Sequence, residues 1–97
     1  MGLVKNDISF SHALDLLKAG YRVARKGWNG NNMFVFLVSG SNFAVNREPL
    51  LSILGKGTEV TYAPHVDICH PNGTISVWSP SMGDIMAEDW YIVHAEV

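Results

Sequence analysis

The feature that most constrains the fold is an apolar run in the first half of the chain. Residues 33–38 read MFVFLV, with no polar side chain among them. Because side chains alternate between the two faces of a strand, such a run is typical of a strand covered on both faces. We therefore predict a strand here, covered either by helices or by another subunit. Residues 40–42 (GSN) are expected to end it. Residues 46–57 lack long periodicity and are expected to form a loop with at most a short helical turn.

A helix is predicted near the N-terminus, over residues 10–19. Ser9 is a suitable N-cap, and Gly20 is well placed to end the helix. The apolar side chains of this segment follow helical spacing and predict a buried stripe, formed by Phe10, Ala13, Leu14 and Leu17. A second, shorter helix is predicted after Ser79, with Pro80 at its first position.

Short strands complete the prediction. Residues 21–25 and 58–63 are each expected to form a strand, and a closing strand is expected within 88–93. The turn sequence HPNG at 70–73 predicts a hairpin between the segments on either side of it, 65–69 and 74–78. The predicted class is α+β, a small mostly antiparallel sheet with an N-terminal helix and a short second helix before the last strand.

Length and composition predict one domain over residues 1–97. A hydrophobic content of 47% with only 16% charged residues leaves apolar surface that suits a subunit interface. The net charge of −2 argues against DNA or RNA binding, which needs a basic face. The single Cys69 rules out an internal disulfide, and we expect no metal and no cofactor. No apolar run approaches the roughly 20 residues of a membrane span, so an intracellular chain without membrane contact is expected.

The loop after residue 24 carries the strongest binding signal. Residues 25–34 read RKGWNGNNMF, which combines two cations, an indole ring and three amides with glycines. Glycines allow a ligand to approach the backbone closely, and a tryptophan offers a stacking face. The alternative is an ordinary surface turn whose Trp28 packs into the core.

A second group of candidates lies on the predicted hairpin. His65 and Asp67 share one face of the strand, and the hairpin is expected to bring Trp78 into the same patch. An aromatic ring, an imidazole and a carboxylate together suit a nucleobase and a ribose. A nucleotide hydrolase that uses this histidine and aspartate is the alternative, although the pair supplies neither a nucleophile nor a full set of metal ligands.

Four separated blocks carry a family resemblance. They are residues 25–30 (RKGWNG), 33–38 (MFVFLV), 57–67 (GTEVTYAPHVD) and 87–90 (AEDW). In this order they resemble the Thoeris anti-defence 2 family of phage proteins, over a match that runs from Ile8 to Val93.

The resemblance implies a sponge and not an enzyme. Family members sequester a cyclic ADP-ribose signal, of the gcADPR type, that a bacterial TIR-domain defence enzyme makes, so that the effector is never activated. It also implies a homo-oligomer, with tetramers among the family, and ligand pockets between subunits. Some members capture cyclic dinucleotides at a second site. The implied location is the cytoplasm of the infected bacterial host.

Nine residues are candidates to contact such a nucleotide. Three aromatic rings are candidates to stack on adenine or to wall the pocket, namely Trp28, Phe34 and Trp78. Two cations are candidates to meet the diphosphate, namely Arg25 or Arg47. Three polar side chains suit the ribose hydroxyls and the adenine edge, namely Asn29, Asn46 and Asp67. The role of His65 is left open.

A third class of function uses the apolar segment at 50–54 (LLSIL). If this segment is exposed and is not an oligomer contact, it suits a protein–protein inhibitor that blocks a host defence enzyme.

Overall fold

In the computed structural model, which describes residues 6–28 and 32–94, three short helices accompany seven short strands. The helices are α1 (Phe10–Lys18), α2 (Leu50–Leu54) and α3 (Met82–Met86). The strands are β1 (Arg22–Arg25), β2 (Phe34–Val38), β3 (Ser41–Ala44), β4 (Glu59–Tyr62), β5 (His65–Cys69), β6 (Ile75–Val77) and β7 (Trp90–Val93). All the strand pairings within these elements are antiparallel, which confirms the predicted α+β class.

The main sheet has five strands in the order β6-β5-β2-β1-β7, with the predicted apolar strand at its centre. Antiparallel register aligns a row of four buried side chains across it: Ile92, Val23, Val35 and Ile68. Helix α1 covers this row with Ala13, Leu16 and Leu17, and these side chains form one apolar core. The core therefore lies on one face of the sheet.

Helix α1 begins and ends where its caps predict. The Ser9 hydroxyl accepts a hydrogen bond from the His12 backbone amide at 3.2 Å. At the other end Gly20 has a φ of +101°, a left-handed conformation that glycine adopts without strain, and its amide bonds to the Leu17 carbonyl. The helix is one residue shorter than predicted.

The second face of the main sheet, here called the open face, has no helix packed on it within the described residues. Its rows include Phe36 beside Asp67 and Val77, and Phe34 beside Cys69 and Ile75. Val77 is 72% exposed and Ile75 is 55% exposed. In the part of the chain that the structure describes, helices therefore cover the central strand on one side only.

Strands β3 and β4 form a separate two-stranded sheet. Together with α2 they make up what we call the arm, residues 40–62. Strand β2 ends at Val38, as predicted from residues 40–42, but Ser41 and Asn42 then begin a new strand that was not predicted, by pairing with Tyr62 and Thr61. Cross-strand pairing thus overrides the weak strand propensity of this polar segment. The arm contributes to an elongated molecule with extents of 48 × 32 × 31 Å.

Helix α3 begins two residues later than Ser79 and Pro80 suggested. Its N-cap is Ser81, whose hydroxyl accepts from the Asp84 amide while the Asp84 carboxylate accepts from the Ser81 amide. This reciprocal capping box satisfies two backbone donors at once, which explains why the helix starts here.

Candidate functional site

The loop that follows β1 is tied to the C-terminal part of the chain by two carboxylates. Arg25 donates from Nε to Asp89 and from a terminal nitrogen to Asp84, each at 2.9 Å. Asp89 also accepts from the Gly27 amide at 2.8 Å. The first residues of the loop are therefore held by side chains about 60 positions away in the sequence.

These contacts change the acidity of all three groups. Hydrogen bonding to Asp89 and then to Asp84 raises the pKa of Arg25 above its ordinary value. Burial alone would raise the pKa of Asp84, but hydrogen bonds from Ser81, Arg25 and Trp28 outweigh it and lower the pKa. The Arg25 hydrogen bond is also the main reason why the pKa of Asp89 is lowered. All three groups are therefore charged at neutral pH.

Trp28 packs partly against the core and partly lines a cleft. It packs in an aromatic cluster with Trp90, Trp78 and Phe10, and its ring centroid lies 5.3 Å from that of Trp90. Its indole nitrogen donates to Asp84 at 3.1 Å. The side chain is nevertheless only half-buried, and it lines a cleft. Packing thus fixes the ring, and part of it stays available to a ligand.

Two clefts adjoin at this loop. The first cleft, of about 400 Å³, is lined by Asn6, Arg25, Lys26, Trp28, Asn32, Met33 and Tyr91. The second cleft, of about 330 Å³, is lined by Arg22, Asn32, Met33, Phe34, Tyr91, Val93 and His94. The shared residues Asn32, Met33 and Tyr91 join them, and none of the described residues that line either cleft is acidic. Together they offer aromatic faces, amides and cations, the groups that bind nucleotides.

Three of the nine predicted site residues line these clefts. Arg25 and Trp28 line the first cleft, and Phe34 lines the second. Asn29 lies outside the described residues.

Trp78 is not in a patch with His65 and Asp67, and that geometric prediction was wrong. Val77 pairs with Asp67, so side-chain alternation puts Trp78 on the opposite face of the sheet. There it packs against Phe10, Trp28 and Trp90. The predicted hairpin is correct, but Asp67 pairs with Val77 and not with Trp78. A difference of one position in the register puts a side chain on the other face of the sheet.

His65 and Asp67 do share a face, as predicted, and it is the open face. The His65 Nε2 atom lies 3.2 Å from the Asp67 carboxylate. Neither residue lines either cleft.

Asn46 and Arg47 lie on the arm, and both are exposed. The structure therefore divides the described candidates among three regions: the loop with its aromatic cluster (Arg25, Trp28 and Trp78), the open face (Phe34, His65 and Asp67) and the arm.

Sequence reasoning missed several cleft residues, chiefly Arg22, Lys26, Asn32 and Tyr91. Arg22 had a signal, because it begins the strand that leads into the glycine-rich loop and alternates with Val23. Tyr91 carried none, since only the pairing of β1 with β7 brings it beside the loop.

Within residues 6–28 and 32–94, no group of three or more histidine, cysteine or acidic side chains is arranged to hold a metal ion. In the same part of the chain, no helix has the length and apolarity needed to cross a membrane.

Comparisons with known proteins point to one family. The model of the Thoeris anti-defense 2-like domain matches residues 8–93, nearly the whole chain. Thoeris anti-defense 2 of Bacillus phage SP01 is 39% identical to this chain over 95 residues, a match that covers 93% of this chain and 99% of the phage protein.

Proposed function

The chain belongs to the Thoeris anti-defense 2-like family, and from this premise we propose that it counters Thoeris defence by sequestering a cyclic ADP-ribose-type nucleotide inside the infected bacterial cell. In this proposal the protein binds the signal without converting it, so the effector of the defence system receives none. The joined clefts are the nucleotide site.

The junction of the two clefts is the observation that carries the proposal. A cyclic ADP-ribose presents an aromatic base, two riboses and a diphosphate. The first cleft is lined by the fixed Trp28 side chain, and Tyr91 and Asn32 line both clefts. Cations line both clefts. Each part of the ligand therefore has a matching partner within one continuous surface.

We also propose that the open face is a contact between copies of the chain. Phe36, Ile75 and Val77 make it apolar, yet it lies unprotected in a single chain. A second copy has the same apolar face, and a two-fold axis brings the two faces into contact with each other. The second cleft lies at the margin of this face through Phe34 and Tyr91, so a partner subunit also closes part of the site.

Capture from a mixture is the direct test of sequestration. The purified protein is incubated with the products of a Thoeris TIR enzyme, separated by filtration and heated, and the released molecules are identified by mass spectrometry. Release of an intact cyclic ADP-ribose isomer is the expected result. A converted product would identify an enzyme and overturn the proposal.

Capture of no nucleotide would also overturn it and would favour the protein-blocking alternative. That alternative has a structural basis in the arm, where Ile53 is 69% exposed and Leu54 is 46% exposed. Addition of a cyclic dinucleotide in a parallel sample tests the second ligand class expected of the family.

A pair of variants tests whether Trp28 contacts the ligand. Trp28→Leu is expected to weaken binding by about 10- to 100-fold, because stacking on a base contributes about 1–3 kcal/mol. Phe10→Leu is the matched control, since it removes a ring from the same aromatic cluster without lining either cleft. Isothermal titration at a temperature where both variants are folded gives the two affinities. Equal affinities would remove Trp28 from the site.

A further inference from the structure

The cations that line the joined clefts differ in the protein groups that they already contact. Arg25 is engaged by two carboxylates, through Nε and a terminal nitrogen. Lys26 forms an exposed ion pair with Asp7 at 2.8 Å. A ligand phosphate would have to compete with these carboxylates for either cation.

Arg22 is different. Its guanidinium carbon lies 4.8 Å from the centroid of the Phe34 ring. No carboxylate among the described residues lies within ion-pair distance of it, and no described side chain or carbonyl accepts a hydrogen bond from it. A cation–π contact holds a guanidinium in place without using its N–H donors. Arg22 is thus half-buried and positioned, with its donors available.

The surroundings of Arg22 also suit an anion. Among the described residues the second cleft has no acidic lining residue, and its other polar side chains come from Asn32, Tyr91 and His94. A planar guanidinium binds phosphate through two parallel hydrogen bonds, which a lysine ammonium cannot reproduce.

We propose that the second cleft is the diphosphate subsite and that Arg22, in preference to Arg25, is its principal phosphate-binding residue. The ligand class is a nucleotide diphosphate or pyrophosphate group. This inference rests on the proposed function, and it orients the ligand with its diphosphate at Arg22 and its base at Trp28 in the first cleft.

Affinities of two variants test the inference. Arg22→Gln is expected to weaken the binding of cyclic ADP-ribose and ADP-ribose at least tenfold and to leave any binding of adenosine, which has no phosphate, unchanged. Lys18→Gln makes the same charge change on the exposed last turn of α1, away from both clefts, and is expected to bind like wild type. If wild type binds these nucleotides and Arg22→Gln binds them equally well, the inference fails while the proposed function stands.

A titration of the wild-type protein with sodium pyrophosphate tests the subsite without a nucleotide. Arginine Nε–H resonances are followed by NMR and assigned with the Arg22→Gln variant. The Arg22 resonance is expected to shift, while that of Arg25 stays in place because its Nε already donates to Asp89. A shift of Arg25 with none at Arg22 would overturn the inference. Failure of wild type to bind any nucleotide would overturn the proposed function separately from this result.

Discussion

Asp84 is a single carboxylate that joins helix α3 to the loop after β1. It accepts hydrogen bonds from Ser81, Arg25 and Trp28, and it is 8% exposed as a residue. Asp84→Asn removes the charge and leaves at least one of these donors poorly matched. We expect it to lower the free energy of unfolding by about 2 kcal/mol, measured by urea denaturation at pH 7. Asp15→Asn, an exposed change on α1, is the control and is expected to have little effect.

The same carboxylates predict how stability responds to acid. The pKa values of Asp84 and Asp89 are lowered in the folded state, so their contribution is present above the unfolded value of about 3.9. It is lost as pH falls through the lower folded values. Below about pH 4 the Asp84→Asn variant is therefore expected to lose stability less steeply than wild type. Parallel slopes in denaturation at a series of pH values would contradict this account.

Residue types predicted three of the residues that line the clefts, but the contacts that hold these residues in place could not be predicted. Arg25 and Trp28 were selected from a loop sequence, because their chemistry and the nearby glycines are local features. Asp84 was not selected, because its role depends on a hydrogen bond to a tryptophan 56 positions earlier. Nothing local to the sequence of α3 signals that contact.

Gly40 lies between β2 and β3, where the chain leaves the main sheet and enters the arm. A Cβ atom there would lie 2.6 Å from the Tyr62 carbonyl oxygen, which belongs to the backbone and cannot move aside cheaply. Gly40→Ala is therefore expected to lower the free energy of unfolding by about 1–3 kcal/mol. Gly83→Ala is the control, since its Cβ meets only Ser81 Oγ at 3.6 Å and alanine favours a helix by about 0.5–1 kcal/mol. Thermal unfolding compares the two variants. Equal melting temperatures would contradict the prediction, because they would show that the backbone accommodates a Cβ atom at position 40.

Elements with local signals were predicted well, and those that depend on a distant partner were not. Helix α1 has its own caps and apolar stripe, and the β5–β6 hairpin has its own turn. Strand β3 has the exposed sequence SNFA and exists because β4 pairs with it. The start of α3 differed from the prediction because Ser79 and Ser81 are both chemically suitable caps, and only the reciprocal bonds of Asp84 decide between them.

Within the described residues, exposed apolar side chains lie on the open face, on the arm and on α3, and the proposed subunit contact uses only the open face. Val77 lies on the open face and is 72% exposed, so a charge there should not disturb the single chain. Val77→Glu is expected to lower the oligomer mass measured by sedimentation equilibrium, because a buried unpaired carboxylate opposes association. Met86→Glu, at a residue 69% exposed on α3, is expected to leave the mass unchanged. A wild-type monomer, or an oligomer lost only with Met86→Glu, would contradict the assignment of the open face.

The ties from Arg25 to Asp84 and Asp89 also bear on when the protein gains its capacity to bind. The loop emerges early in synthesis, but the carboxylates that hold it follow 59 and 64 residues later. Strand β7, which supplies Tyr91 to both clefts, comes later still. An incomplete chain that stops before residue 84 thus lacks the carboxylates that hold the loop of the proposed ligand site. If the proposed function holds, only chains translated nearly to the end of the described sequence can sequester the nucleotide.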